Sequence, residues 1–176
     1  MSIDASRLLR SLWPLLDAVA EPQPLTELGL TTLLEQLVAS AAEVLEVDAV
    51  GITLLDQHDH PRVVAVTHAA ARDLELGQAA SHHGPGLDAM ARSVPVAVTD
   101  LRASRRYRAL WDTVASSAVR GALSSPVRIG ESVVGTFSAV TQQPRPWSVD
   151  HIRVNDAFAH VVGLALMTVS LRAAAA

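Results

Sequence analysis

Three neighbouring residues, His58, Asp59 and His60, form the most metal-like cluster in the chain. Imidazole nitrogens and carboxylate oxygens are ligands that Zn²⁺ and similar ions accept. The same residues stand ahead of Pro61 in a polar stretch that is also typical of a solvated hairpin turn. No HExxH or Glu-x-x-His spacing, which would place ligands on one helix face, accompanies them. We therefore predict that no metal is bound here.

A second group of residues has the chemistry to clamp an anion or stack on a planar ring. It consists of basic and aromatic side chains close together in the chain: Arg102, Arg105, Arg106, Tyr107, Arg108 and Trp111. The alternative, which we favour, is a solvated helix face on which Arg108 pairs with Asp112 four residues on. The net charge of −4 gives no electrostatic reason to expect a nucleic-acid partner.

The side chains that would support covalent catalysis are missing. The chain has no Cys, and all 14 basic residues are Arg, so thiolate nucleophiles, thiolate metal sites and lysine Schiff bases are excluded. No Gly-x-Ser-x-Gly elbow, phosphate-binding loop or dinucleotide glycine motif is present. We expect no catalytic residues and no enzymatic activity.

Length and composition indicate one domain with an extension. The 176 residues are 49% hydrophobic but only 3% aromatic, which predicts a core of Leu, Val and Ala. The apolar run 157–171 is shorter than the ~20 residues that cross a bilayer. The apolar stretch 11–16 is shorter than the ~7–15 residues of a signal-peptide core. We predict a cytoplasmic protein without a membrane span.

The sequence pattern divides the chain into two parts. Residues 1–24 form a helical extension, which contains Pro14 and ends in a proline-rich linker. Residues 25–172 form the domain. Apolar residues at helical spacing predict a helix over 30–45, with Thr32 and Glu35 as a capping box at its start.

Further segments are predicted from patterning and turn signals. Strands are expected over 48–55, 62–68 and 94–98, and in a hairpin that turns around Gly130. A short helix or loop is expected over 69–81, and helices over 84–91, 105–116 and from 148 onward. Consecutive strands with short turns favour an α+β fold built on an antiparallel sheet, with helices on both faces and the first and last long helices packed together.

Four motifs occur in this order: Val-Asp-Ala-Val-Gly-Ile-Thr-Leu-Leu-Asp at 47–56, Gly-Pro-Gly-Leu-Asp-Ala at 84–89, Val-Thr-Asp-Leu at 98–101 and Pro-Val-Arg-Ile-Gly-Glu-Ser-Val-Val-Gly at 126–135. Together they resemble a GAF domain over most of the chain, and are most similar to actinobacterial GAF domains, including those that precede an RNA-binding ANTAR domain. The resemblance implies a module for small-molecule sensing and dimerisation.

Several specialised GAF ligands are not expected. Relatives that bind cyclic nucleotides resemble an Asn-Lys…Phe…Asp-Glu pattern, and this chain has no Lys. Covalent bilin attachment and methionine-sulfoxide reduction use Cys in relatives, so the absence of Cys excludes both. Haem-binding relatives place a His where Ser116 and Ser117 align here, so haem is not expected. The identity of the ligand stays open.

The resemblance places a ligand pocket between the sheet and residues 69–117. Residues that we predict to line it have polar or aromatic side chains: His68, His82, His83, Tyr107, Trp111, Thr136 and Ser138. The histidines would supply hydrogen bonds and the aromatic rings a stacking wall. Ordinary loop histidines and close packing of small hydroxyl residues are the alternatives for these positions.

Two functions follow as expectations. The first is a sensor of an unknown small molecule that signals through its terminal helices. The second is a ligand-free structural module that acts by dimerisation or through a signalling protein partner. Apolar residues nearly encircle the last helix, and a helix that is apolar all round is buried on more than one side. We therefore predict a symmetric homodimer through the terminal helices, including residues 1–20.

Overall fold

The computed structural model describes residues 5–20 and 27–175, and the predicted linker over 21–24 lies outside them. Six helices and five strands follow one another in these parts: α1 (Ala5–Ala20), α2 (Glu27–Leu45), β1 (Ala49–Leu55), β2 (Pro61–Val66), α3 (Ala69–Ser81), α4 (Pro85–Arg92), β3 (Val96–Val98), α5 (Arg108–Val114), β4 (Gly121–Ile129), β5 (Ser132–Thr141) and α6 (Val149–Ala175).

The five strands form one antiparallel sheet in the order β2-β1-β5-β4-β3. The predicted hairpin joins β4 and β5, with Ile129 paired to Ser132 and Gly130 at φ 60° in the turn. β3 is short and lies at the edge, as Pro95 before it indicates. The α+β fold and the antiparallel sheet are confirmed.

The two faces of the sheet are covered by different helices. Helices α2 and α6 pack together on one face, and inward-facing apolar residues such as Val50, Leu123 and Phe137 meet them in a buried core. Helices α3, α4 and α5 cover the other face. α1 runs through Pro14 as one helix and contacts α2 and α6.

Two local predictions differ from the structure. Helix α2 begins at Glu27, so Thr32 and Glu35 lie within the helix and cannot form a capping box at its start. Helix α5 covers only Arg108–Val114, although Ser104 does accept a hydrogen bond from the Tyr107 amide at 3.4 Å. In both cases the apolar pattern located the helix but not its first turn, where tertiary contacts decide the boundary.

Helix α6 is longer than the apolar run from which it was predicted. Its segment Val149–Leu171, with a mean hydropathy of 1.5, is long and apolar enough to cross a bilayer. Residues 157–171 are therefore only part of the apolar segment of this helix, and the length of α6 does not by itself exclude a span. Burial explains the composition, because one side of α6, including Phe158 and Val162, packs into the core against the sheet.

The start of α6 is held by a buried histidine. His151 is 5% exposed, and Arg145 Nη2 lies 2.7 Å from its Nε2. Because Arg can only donate, Nε2 accepts this bond, and Ser148 contacts the other ring nitrogen, Nδ1, through its amide at 3.2 Å and its hydroxyl at 2.7 Å. Burial, followed by the positive charge of Arg145, lowers the pKa of His151, and the carboxylates of Asp150 and Glu46 oppose this with smaller effects.

Protonation of His151 is therefore expected to lower the free energy of unfolding of the protein as the pH falls. A depressed histidine pKa means that the unfolded chain takes up a proton first, so the contribution of His151 is present above about pH 6.5 and is lost as the pH falls below it. We expect His151→Gln to be about 1 kcal/mol less stable at pH 8, with a smaller deficit at pH 5.5. Urea unfolding at both pH values measures this. His160→Gln, at an exposed position of the same helix, is the control, and an equal deficit at both pH values would contradict the prediction.

Candidate functional site

The sheet face beneath α3 and α4 carries an unusual number of hydroxyl groups for a protein interior. Thr53 on β1 pairs with Thr136 on β5, and Ser124 on β4 pairs with Ser138 on β5. All four side chains are buried, and the two serine hydroxyls lie 2.9 Å apart in a hydrogen bond. Alternation along the strands turns these residues away from the α2–α6 core and towards α3.

Helix α3 places two further polar side chains over these hydroxyls. Glu75 is 7% exposed and Gln78 is 3% exposed. Gln78 Nε2 donates to Glu75 Oε2 at 2.9 Å, and Gln78 Oε1 accepts from the Gly86 amide of α4 at 2.6 Å. Gln78 therefore links the carboxyl group of Glu75 to the first turn of α4.

Gly84 and Gly86 make this link sterically feasible. A Cβ atom at position 84 would lie 2.3–2.7 Å from three atoms of the Gln78 side chain, and one at position 86 would lie 2.9 Å from Gln78 Nε2. The Gly-Pro-Gly motif therefore has a packing role here, because it lets the backbone of α4 approach the amide group of Gln78.

Burial dominates the electrostatics of Glu75. Removal from water raises the pKa of its carboxyl group, because the charged form loses its hydration. The nearby hydroxyls of Ser138 and Thr53 and the amide of Gln78 act in the opposite direction. No charged side chain contributes to the shift. The carboxyl group therefore lacks the cationic partner that buried acids usually have.

A small cavity opens beside this group. We call it the Glu75 cavity, and its lining residues come from both the sheet and the helices above it: Thr53, Pro61, Glu75, Gln78, Ala79, Gly86, Leu87, Met90 and Thr136. Its volume is about 10 Å³, which is room for about one water molecule. Glu75 Oε1, Thr53 Oγ1 and Thr136 Oγ1 are buried without a hydrogen-bond partner. Unpartnered buried polar atoms are costly, and a ligand or water would satisfy them.

The predicted pocket residues are divided by the structure. Thr136 lines the Glu75 cavity, and Ser138 lies next to Glu75 in the same hydroxyl cluster. The three histidines are exposed outside it. His68 caps the start of α3 by accepting from the Ala70 amide at 3.3 Å, and His82 caps the end of that helix.

The two aromatic residues that were predicted to form a stacking wall, Tyr107 and Trp111, contact other side chains of the protein. Tyr107 is 5% exposed, and its hydroxyl donates to Asp88 Oδ2 at 2.5 Å. Burial and the Asp88 hydrogen bond raise the pKa of Tyr107 to about 12, so the hydroxyl stays a donor. Trp111 is half-buried, with the Arg120 guanidinium 6.0 Å from its ring centre. Neither ring lines the Glu75 cavity.

Two of the basic residues proposed as an anion clamp already have carboxylate partners. Arg106 Nε lies 2.7 Å from Asp88 Oδ2, and its hydrogen bond lowers the pKa of Asp88. Arg108 pairs with Asp112 at 3.1 Å, which confirms the predicted i,i+4 ion pair. These contacts favour the solvated-face interpretation over anion binding.

The histidines of the β1–β2 connection form a turn organised by Asp56. Its Oδ1 accepts from the amides of His58 and His60 at 2.9 and 3.0 Å, and these bonds, with smaller help from Arg62, lower its pKa to about 2. Within residues 5–20 and 27–175 no group of three or more His, Cys, Asp or Glu side chains has metal-binding geometry.

Tetrapyrrole cofactors do not fit the described site. The Glu75 cavity has room for about one water molecule, and the sequence has no Cys for a thioether link. Ser116, at the position predicted from haem-binding relatives, is exposed after α5.

Sequence reasoning missed Glu75, Gln78 and Thr53, although α3 contained a signal. Ala71, Glu75 and Gln78 follow one another at i, i+4 and i+7, and Ala71 is buried. That spacing puts all three on one face of a helix, so a carboxylate and an amide on the apolar side indicated a buried polar site.

Comparisons with known proteins agree with this architecture. The GAF domain family model matches residues 27–167. No curated relative matches the chain. The GAF domain of a phosphoenolpyruvate-protein phosphotransferase from Acinetobacter superposes with a TM-score of 0.70 at 15% identity, over 98% of this chain and 98% of that chain.

Two other solved structures share the fold. Free methionine-R-sulfoxide reductase from Neisseria meningitidis, in complex with its substrate, has a TM-score of 0.71 at 15% identity, over 98% of this chain and 96% of that one. The blue-light absorbing form of the Thermosynechococcus elongatus PixJ GAF domain has a TM-score of 0.62 at 19% identity, over 88% and 94%. The sheet order, the helical layers and the family match agree, and the chain belongs to the GAF domain family.

Proposed function

We propose that this GAF domain is a cytoplasmic sensory module that binds a small molecule in the Glu75 cavity and signals through its terminal helices as a homodimer. The observation that carries the proposal is the group of three buried, unpartnered polar atoms on Glu75, Thr53 and Thr136. The opposite face, beneath α2 and α6, is mainly apolar, and its buried polar pair, Ser125 and Asn155, is joined by a hydrogen bond of 2.9 Å. The likeness to actinobacterial GAF domains is part of this proposal.

Native mass spectrometry of the freshly purified protein tests ligand binding. We expect an additional mass in the native spectrum that is lost under denaturing conditions. Hydrogen exchange in α3 and α4 should slow when a metabolite extract is added, because an occupant would join the two helices across the cavity. No bound mass, together with unchanged exchange, would contradict the proposal and favour the ligand-free structural module, which the small cavity volume of about 10 Å³ also supports.

The helical layer supports the proposed dimer. α1 exposes Leu9 at 61% and Trp13 at 64%, and α6 exposes Leu164 at 39% and Leu171 at 64%. α1 contacts both α2 and α6, so these elements belong to one side of the molecule, away from the Glu75 cavity. Large exposed apolar side chains grouped on one side are typical of an interaction surface, and we assign it to a second copy of this chain.

Light scattering at micromolar concentration should therefore give the mass of a dimer. Leu9→Arg is expected to shift the protein towards monomer, because a charge in a self-complementary interface is introduced twice. Leu76→Arg is the matched control, since Leu76 is 56% exposed but lies on α3 across the sheet. A monomer for the unmodified chain at high micromolar concentration, or equal effects of the two variants, would contradict the dimer.

A further inference from the structure

The Glu75 cavity has two chemically different ends. Its inner end consists of Thr53, Glu75 and Thr136, which are 3%, 7% and 1% exposed. Its outer end is apolar and partly open to solvent, and is lined by Pro61, Ala79, Leu87 and Met90. A molecule that enters from the surface therefore meets carbon atoms first and oxygen atoms last.

When Glu75 is ionised, the unpartnered atoms of the inner end have more acceptor lone pairs than donor hydrogens, although each threonine hydroxyl also carries one donor. Glu75 Oε1 is unpartnered, and when ionised it can only accept hydrogen bonds. The free hydroxyl oxygens of Thr53 and Thr136 can each accept as well. No Arg or His is among the lining residues, and the chain has no Lys. The complementary group is one with several N–H donors and a positive charge.

The available volume limits that group to a compact one. The cavity has room for about one water molecule. A primary ammonium, which presents three donors from a single nitrogen, is of suitable size, whereas a larger cation would displace the side chains around it. The remainder of the molecule would lie against the apolar outer end, where burial of hydrocarbon is favourable.

We propose that the Glu75 cavity binds a primary ammonium group carried on a short apolar body, with the ammonium against Glu75, Thr53 and Thr136. The inference rests on the proposed function, since it takes this cavity as the ligand site, and it adds the chemical class of the ligand. Gln78 hydrogen-bonds both Glu75 and the first turn of α4. The occupant therefore lies at the junction of α3 and α4, where it can change how the two helices pack.

Binding of a cation also sets the protonation state of Glu75. Burial raises the pKa of the empty site, and a cation beside the carboxyl lowers that pKa again. At a pH where the empty site holds its proton, the Glu75 O–H bond breaks on binding and the proton passes to the buffer. Calorimetric binding enthalpies measured in two buffers of different ionisation enthalpy should therefore differ.

A matched series of probes tests the class. Isothermal titration at pH 8 compares n-butylammonium, n-butanol and butyrate, which have the same apolar body with a cationic, neutral or anionic end. Alkylammonium groups remain protonated at this pH, as lysine does. We expect n-butylammonium to bind at least about tenfold more tightly than the other two. Ammonium chloride, which lacks the apolar body, should bind more weakly than n-butylammonium.

Variants of the residues at the inner end show whether n-butylammonium binds in the Glu75 cavity. Glu75→Gln keeps the shape but removes the charge, and should weaken n-butylammonium binding about tenfold or more. Thr53→Val, a smaller change at the same inner end, gives a second variant should Glu75→Gln fail to fold. Glu131→Gln, in the exposed turn between β4 and β5, is the control and should bind as the unmodified chain does.

The outcomes separate the inference from the proposed function. Preference for n-butanol or butyrate, or unchanged binding by Glu75→Gln and Thr53→Val, overturns the ammonium class but leaves the cavity a ligand site. If ammonium chloride binds as tightly as n-butylammonium, the inference that the ligand carries an apolar body is overturned. Binding by none of the four probes overturns the inference, and a native spectrum without bound mass contradicts the proposed function separately.

Discussion

Replacing Phe137 with alanine is expected to destabilise the domain by about 3–5 kcal/mol. Phe137 is fully buried at the centre of β5, and its ring stacks on that of Phe158 from α6, with centroids 5.8 Å apart and planes within 8°. Aromatic residues make up only 3% of the chain, and Phe137 and Phe158 are the two largest of the fully buried side chains in the described residues. Small neighbours such as Ala139 and Ala159 cannot expand into the space that alanine would leave.

Urea unfolding followed by circular dichroism measures the change. Because a domain of this size typically has only 5–15 kcal/mol of stability, the variant should unfold at much lower urea or fail to accumulate. Val149→Ala is the control, since Val149 is 61% exposed and its truncation should change stability by less than about 0.5 kcal/mol. A loss below about 1 kcal/mol for Phe137→Ala would show that the core repacks freely around the site.

The fold could be predicted because its signals are local and repeated. β1 and β5 are apolar or small-residue runs bounded by turn residues, and the Gly130 turn joins β4 to β5 within two residues. A register of Ile129 with Ser132 follows almost directly from that turn length. Helix ends were less accurate, because Thr32 satisfies a capping pattern that the chain does not use.

The site could not be predicted to the same degree, because it depends on contacts between distant segments. Asp88 and Tyr107 meet across 19 positions, so this hydrogen bond was not visible in local sequence. The histidines drew attention through their chemistry, yet they cap α3 or lie on its exposed end. The burial of Glu75 likewise depends on how α3 packs against the sheet and α4.

This difference explains why polar residues on the buried side of α3 carry functional information. Apolar side chains at Glu75 and Gln78 would have satisfied the packing that the fold needs. Glu75, together with Thr53 and Thr136 of the sheet, instead leaves three buried polar atoms without partners, which lowers the stability of the empty domain. Buried polar groups that lower stability are consistent with a binding site, where the same groups are needed to recognise a ligand.

The free energy of unfolding of Glu75→Gln without ligand tests directly whether Glu75 lowers the stability of the empty domain. A carboxyl whose pKa is raised on folding keeps its proton in the folded state while the unfolded chain, with a pKa near 4.5, has released it. The unmodified protein therefore loses stability as the pH rises above about 4.5, until the folded group also ionises. Glutamine is neutral throughout, so this loss should be absent in the variant.

We therefore expect Glu75→Gln to unfold near the same urea concentration as the unmodified chain at pH 4.5, and to be more stable by about 1 kcal/mol or more at pH 8.5. The difference between the two chains isolates Glu75, since protonation of His151 below about pH 6.5 affects both equally. Glu131→Gln should show no pH-dependent difference. A Glu75→Gln protein that is less stable at pH 8.5 would mean that the ionised carboxylate stabilises the empty domain, and that its cavity is a packed structural element instead of a site awaiting a cation.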